Sequence, residues 1–330
     1  METLRRGCLL KFLLACAVLF VLAALAGRDV GSAPGCWSPE WGDLRDGSSY
    51  RGVLSGARER CYLAFVPPAL YRARPVPIVF SLHGFAANPD GQRANARWEV
   101  LAAEQGFLVV YPQGSSFPLR WNVGPQARLD SVDDVRLMLR HPGRSVGVAD
   151  DRPGARVRQR LLQGGHMTHL LACALADRIA AVGIVEGRGA DGPQGCHPVR
   201  PVPVMGYFSA TDPMAKPLGI PDWLTDIAFN VPIEAAALGP ASPEAWAADW
   251  AKRNACRQPA LTEPLTAGIT QQRYTSCAQD AEVILVSIPS MGHAWPGGPS
   301  LPFLGESTAA IDATRLLWEF FAQHPLPPGE

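Results

Sequence analysis

The sequence predicts an α/β protein, a mostly parallel central sheet with helices on both faces. Two observations carry the prediction. After an apolar start, short runs rich in Val and Ile and bounded by Gly or Pro alternate with amphipathic stretches, the order in which a chain lays strands and covering helices. The length of 330 residues and the 47 % apolar content suffice for one sizeable core. The candidate strands are Tyr62–Val66, Pro77–Leu82, Phe107–Tyr111, Ala180–Val185, Val202–Phe208 and Val283–Ile288. Helical periodicity is clearest over Arg93–Gln105, with Gly106 as its stop, and over His166–Ala176, Pro243–Asn254 and Thr308–Ala322. Several prolines between Met214 and about Ala241 mark an insertion able to shape a cleft.

One stretch breaks the alternation. Arg140–Gln163 has neither helical nor strand periodicity, and carries Arg140, Arg144, Arg152, Arg156, Arg158 and Arg160. A doubly wound sheet needs a central strand buried on both faces at this point. An unpaired arginine buried there would cost on the order of several kcal/mol. The segment is therefore expected to be irregular, in place of the strand.

Residues 1–26 read as an export signal. Arg5, Arg6 and Lys11 precede or interrupt an apolar run to Ala26, and Ala24-Leu25-Ala26 is a small-x-small cleavage site. An uncleaved anchor is the alternative, though the unbroken apolar part, Phe12–Ala26, is short for a bilayer. Residues 27–330 then form a single domain, secreted to an extracellular or periplasmic space, with no stable membrane association after cleavage. Cysteine usage points the same way. Of eight cysteines, Cys8 and Cys16 leave with the signal and an even six remain. The expected pairs are Cys256 with Cys277, then Cys173 with Cys196 and Cys36 with Cys61. A zinc site is the competing use, but no CxxC or HxxxH spacing supports it. Thirty basic residues against thirty acidic ones give no electrostatic case for a nucleic-acid partner.

Three constellations carry chemistry. Leu82-His83-Gly84-Phe85 follows a strand, and a His-Gly turn there can aim backbone N–H groups at a developing oxyanion. Alone it is an ordinary strand–Gly turn. Ala210-Thr211-Asp212-Pro213 ends another strand, where a carboxylate can orient an imidazole. The plain alternative is an Asp-Pro turn. Met291-Gly292-His293-Ala294-Trp295-Pro296-Gly297-Gly298 follows the last strand, and its Gly-flanked His293 is free to act as a general base. Trp295, with Trp121, is the candidate apolar wall of the cleft.

These pieces resemble the secreted polyhydroxybutyrate depolymerases and feruloyl esterases, a family of α/β-hydrolases. PIVFSLHG, GFLVVYPQG, Trp121-Asn122, VDDVRLM, GGHMTHLLACALADRIAAVG, RPVPVMGYFSATDP and MGHAWPGG occur in the family's order from about Tyr62 to Phe321. The resemblance implies an ester hydrolase that works through a serine acyl-enzyme, needs no cofactor or metal, and takes a small or polymeric ester as its partner. It makes His293 the base, Asp212 its orienting carboxylate and His83-Gly84 part of the oxyanion turn. The nucleophile belongs in a Gly-x-Ser-x-Gly elbow ending on Gly164. There the sequence departs, with Leu162 in the serine's place and Arg160 in the first glycine's. Gly143-Arg144-Ser145-Val146-Gly147 matches the five-residue pattern, but has no apolar strand before it and no helix after it.

A shift of reading frame accounts for the missing serine and the arginine-rich gap together. With an extra base near Leu139 and a lost base near Gln163, codons permitted for Arg140–Gln163, read one base later, can encode ATLAAVWASPTTDPARVYANGFSN. That string supplies a strand and a Gly-Phe-Ser-Asn-Gly elbow with serine in the place of Leu162. The competing reading is a non-catalytic binding protein of the same fold, a pseudoenzyme.

Overall fold

The computed structural model describes residues 47–55, 58–68, 76–115, 119–123, 132–139, 156–160, 162–189, 191, 195–212, 240, 242–266, 268–300 and 304–326. The signal region, Cys36, Ser145 and all but residue 240 of the insertion lie outside them.

The strands are β1 (Ser48–Ser55), β2 (Arg58–Phe65), β3 (Ile78–Leu82), β4 (Leu108–Pro112), β5 (Arg156–Arg160), β6 (Ala181–Val185), β7 (Val204–Ser209), β8 (Leu261–Thr266), β9 (Ile269–Tyr274) and β10 (Val283–Ile288). They form one ten-stranded sheet in the order β1-β2-β4-β3-β5-β6-β7-β10-β9-β8. The six strands from β4 to β10 run parallel, and antiparallel hairpins close both edges. Parallel strands need both faces covered, which is why β4, β6 and β7 are buried along their whole length. Successive side chains go to opposite faces: Val79 joins a core with Trp98, Leu101, Leu317 and Phe321, and its neighbour Phe80 joins one with Leu171, Trp246 and Trp250. The outermost strand β8 is largely exposed and carries Pro264, a residue tolerated at an edge because it has no ladder N–H to give.

Six helices cover the sheet among the described residues: α1 (Pro89–Ala96), α2 (Trp98–Gln105), α3 (Asp134–Leu139), α4 (Leu162–Ala174), α5 (Pro243–Arg253) and α6 (Ala313–Gln323). Their starts follow capping chemistry. The Asn88 side chain accepts from the Gly91 N–H, Ser242 from Ala245, and Asp312 from Arg315. The Asp312 cap explains why the last helix begins at Ala313 and not at Thr308. The helix expected over Arg93–Gln105 is two helices broken at Arg97, whose φ of +48° is left-handed. The break turns Trp98 into full burial against Phe107, their rings 5.9 Å apart.

The expectation that 140–163 would be irregular is corrected over its last part. Arg156–Arg160 is the central strand β5, paired with all five residues of β3 and with Ala181 and Val182 of β6. Ladder hydrogen bonds join backbone to backbone, and β3 and β6 leave a one-strand gap that any extended segment can bridge. Residues 140–155 lie outside the description.

Cys173–Cys196 and Cys256–Cys277 are disulfides, and Cys61 is also disulfide-bonded. No helix among the described residues is long and apolar enough to cross a membrane.

Candidate functional site

The C-terminal ends of β3, β5, β6, β7 and β10 bring the chemistry-bearing residues to one edge of the sheet, where parallel α/β sheets bind ligands. Asp212 follows β7 and His293 follows β10, neighbouring parallel strands. Their side chains meet: His293 Nδ1 lies 2.9 Å from Asp212 Oδ2, both residues buried. Since Asp212 is the acceptor, Nδ1 carries the proton and Nε2 is left with its lone pair, with no partner among the described residues. A carboxylate so placed fixes the tautomer a general base requires.

The two loops are stitched together one residue from the pair. Ser209 Oγ donates to the Met291 carbonyl at 2.6 Å and accepts from the Met291 N–H at 3.0 Å. Thr211 Oγ1 repeats both bonds at 3.0 Å. On the other side of the loop, the Gly292 and His293 N–H groups donate to Glu306 and Leu304 carbonyls at 2.8 and 2.7 Å. Gly292 is required there, because a Cβ would stand 2.3 Å from the Leu304 carbonyl oxygen.

The turn after β3 is equally fixed. Gly114 N–H donates to His83 Nε2 at 2.8 Å, so the ring proton is on Nδ1, which donates to the Gly84 carbonyl at 2.7 Å. His83 is fully buried and serves as a brace for the turn, with both nitrogens engaged. Trp121 donates its indole N–H to the His83 carbonyl at 3.0 Å. Asp134 anchors this corner in turn, with Arg60 at 2.6 Å and the Asn122 N–H at 2.6 Å.

Two expectations need correction. Trp121 and Trp295, taken as cleft walls, are 0 % and 1 % exposed. An indole gains most when its ring is enclosed and its N–H satisfied, and Trp295 meets both conditions by packing in the core and donating to Thr314 Oγ1 at 3.0 Å. Thr314 Oγ1 in turn donates a hydrogen bond to the Ala96 carbonyl at 2.6 Å.

Where the sequence reading expects a nucleophile, the backbone has a strand-to-helix course: β5 ends at Arg160 and α4 begins at Leu162. The start of α4 presses on the loop after β6, and a Cβ on Gly165 would meet Gly187 Cα at 2.6 Å. That loop holds a residue the sequence reading missed. Glu186, directly after β6, is 4 % exposed and takes a left-handed φ of +50°. Burial first, and the adjoining Asp212 carboxylate second, hold it well above the usual carboxylate range. The available signal was a lone acid closing the apolar run AVGIVEG.

Among the described residues, the one group of three or more His, Cys, Asp or Glu side chains whose ligating atoms lie within 4.8 Å of each other is His169, Cys173 and Cys196. Its two sulfurs are joined as a disulfide, which removes the thiolates zinc would need.

No family model matches the chain. Over 142 residues, 41 % of its length, it is 27 % identical to a bifunctional acetylxylan esterase/xylanase from Neocallimastix patriciarum, and it spans 19 % of that protein. Its fold is similar to that of an acetyl xylan esterase from Aspergillus awamori, with a TM-score of 0.54, 15 % identity, and 83 % and 99 % of the two chains covered. The strand order, the strand ends that carry the site and this likeness define an α/β-hydrolase fold.

Proposed function

We propose that this protein is a carboxylic-ester hydrolase by descent, with His293 as general base, Asp212 as its orienting carboxylate and residue 162 as the site of the serine nucleophile. The observation that carries the reading is the buried hydrogen bond from His293 Nδ1 to Asp212, which leaves Nε2 as the basic nitrogen. In the working form, serine Oγ attacks the ester carbonyl while Nε2 takes its proton. The His83-Gly84 turn holds the oxyanion, and Nε2 returns the proton to the departing alcohol. Water, activated by the same nitrogen, then frees the acid.

The substrate class we favour is a short acyl ester of a polysaccharide. Both relatives carry acetylxylan esterase in their names, and the enclosure of Trp121 and Trp295 takes away the aromatic wall that a feruloyl group would have used. Polyhydroxybutyrate and feruloyl esters are the competing substrates. Export after loss of residues 1–26 is part of the proposal, and the disulfides agree with an oxidising destination.

Leu162 gives a second reading its observation: the chain as it stands is a non-catalytic binding protein. The frame-shifted origin of 140–163 separates the two. The test is hydrolysis of p-nitrophenyl acetate and butyrate, and of acetylated xylan, by this chain and by one carrying the reframed segment. Hydrolysis by the reframed chain alone is expected, with a difference of about a millionfold by analogy with triad knockouts. Hydrolysis by neither chain supports the binding protein. Hydrolysis by the original chain that disappears in Ser145→Ala would overturn the assignment to position 162.

A further inference from the structure

The bridge between Cys173 and Cys196 lies beside a histidine that the hydrolytic site does not use. His169 and Cys173 stand four residues apart on α4, the spacing that puts two side chains on one helix face. Cys196 comes to them from the connection between β6 and β7, and the ligating atoms of the three residues lie within 4.8 Å of one another. The ring is held as metal-binding imidazoles are held. His169 Nε2 lies 2.8 Å from Asp191 Oδ1, and Arg253 donates to both oxygens of that carboxylate at 3.1 Å. A carboxylate on one ring nitrogen fixes the tautomer and the ring plane, and makes the other nitrogen the ligand. That other nitrogen, Nδ1, is buried and has no hydrogen-bond partner among the described residues. A proton there would be a buried donor without an acceptor, so Nδ1 carries a lone pair. A Cβ on Gly189 would stand 2.9 Å from Nδ1, and the bare glycine keeps that side of the nitrogen clear of a side chain.

We propose that reduction of this bridge opens a site for zinc, or for a soft divalent cation like it, held by Nδ1 of His169 and the sulfurs of Cys173 and Cys196. A dithiol supplies the two electrons and two protons. The S–S bond breaks, each cysteine becomes a thiol, and the dithiol closes to its own disulfide. Cys173, the less buried of the two cysteines, is the end that a small thiol attacks. Zinc then displaces the two thiol protons to solvent, while Nδ1 gives its lone pair without losing a proton. Two thiolates cancel the charge of the ion, so the occupied site is neutral, which suits a place where His169 and Cys196 are buried. Two sulfurs and one imidazole favour zinc over calcium or magnesium, and leave a fourth position for water. The metal then joins α4 to the β6–β7 connection in a reducing compartment, as the disulfide does in an oxidising one. This role does not depend on His293 being a base.

The test is cobalt binding to the full chain, because tetrahedral Co2+ with thiolate ligands absorbs in the visible and near ultraviolet. The bridge is opened with tris(2-carboxyethyl)phosphine, which takes up the oxygen of one water and leaves two thiols. The reduced chain should gain a Co2+ site that the oxidised chain lacks, and one equivalent of Zn2+ should displace the cobalt. Cys173→Ser should abolish that site. Asp191→Ala, which strips the ring of its support, should weaken it about tenfold or more, and His169→Gln by at least as much. Absence of a thiolate–cobalt band in the reduced chain overturns the proposal. So does equal affinity in the reduced Cys173→Ser chain, since other cysteines would then be the ligands. An affinity unchanged in His169→Gln or in Asp191→Ala overturns it too. If reduction unfolds the chain, circular dichroism decides. Recovery of the folded spectrum on adding Zn2+, lost in His169→Gln, supports the site; no recovery, or recovery in both chains, refutes it. The readout needs no turnover, so failure of the reframed chain to hydrolyse esters would sink the function and leave this result standing.

Discussion

Ser209 and Thr211 hold Met291 through the same two bonds, so either hydroxyl is partly redundant and the two together are not. The perturbation is a double-mutant cycle with Ser209→Ala and Thr211→Val. In each single variant the Met291 N–H and carbonyl keep one partner at 3.0 Å or closer. Each should cost about 1 kcal/mol, the usual net worth of a hydrogen bond. The double variant strips both partners from a residue that is 4 % exposed. Two unsatisfied backbone groups at roughly 1–3 kcal/mol each give a cost of about 4 kcal/mol. The excess over the singles is a coupling of about 2 kcal/mol. Urea unfolding followed by tryptophan fluorescence measures it, and the chain needs no activity for the assay. Additive losses, equal within about 0.5 kcal/mol, would show that the clamp does not join the two loops.

Three further outcomes follow from the packing and the titrating groups. Gly165→Ala places a Cβ 2.6 Å from Gly187 Cα, where both sides are backbone, and should cost about 2 kcal/mol or more in urea unfolding; a loss below about 0.5 kcal/mol would contradict that contact. Removing the Cys173–Cys196 bridge, which spans 23 residues, should cost about 3 kcal/mol, measured as the urea stability of the Cys173→Ala, Cys196→Ala chain against the parent. For Glu186 the folded pKa lies above its unbound value of 4.5. Its neutral form therefore stabilises the fold below about pH 4.5, and that contribution is lost as pH rises through the raised value. Glu186→Gln cannot lose it, so its stability relative to the parent should climb with pH, and a difference that stays flat to about pH 9 would refute the neutral assignment.

The parallel core of the sheet was legible because strands buried on both faces are predominantly apolar, as β4, β6, β7 and β10 are. β8 and β9 were not, because edge strands face water and LTEPLT and ITQQRY carry no apolar signature. β5 was misjudged for a related reason: its side chains gave no strand signal, while its pairing is a backbone matter between two well-formed neighbours. In the site, Asp212 and His293 stood out through their Gly- and Pro-marked loops after strands. Trp121 and Trp295 were placed in the cleft because motif position says nothing about which way a ring turns. Glu186 and Asp134 escaped notice because their surroundings are set by residues far away in sequence, the Asp212 carboxylate that adjoins the first and the Arg60 guanidinium that pairs with the second.

The chain Trp295–Thr314–Ala96 ties the base loop to the last helix and to α1, across 218 residues of sequence between Thr314 and Ala96. A polypeptide emerging from the ribosome cannot form that tie until α6 has arrived. The loop that carries His293 therefore gains this anchor only once the last helix is in place.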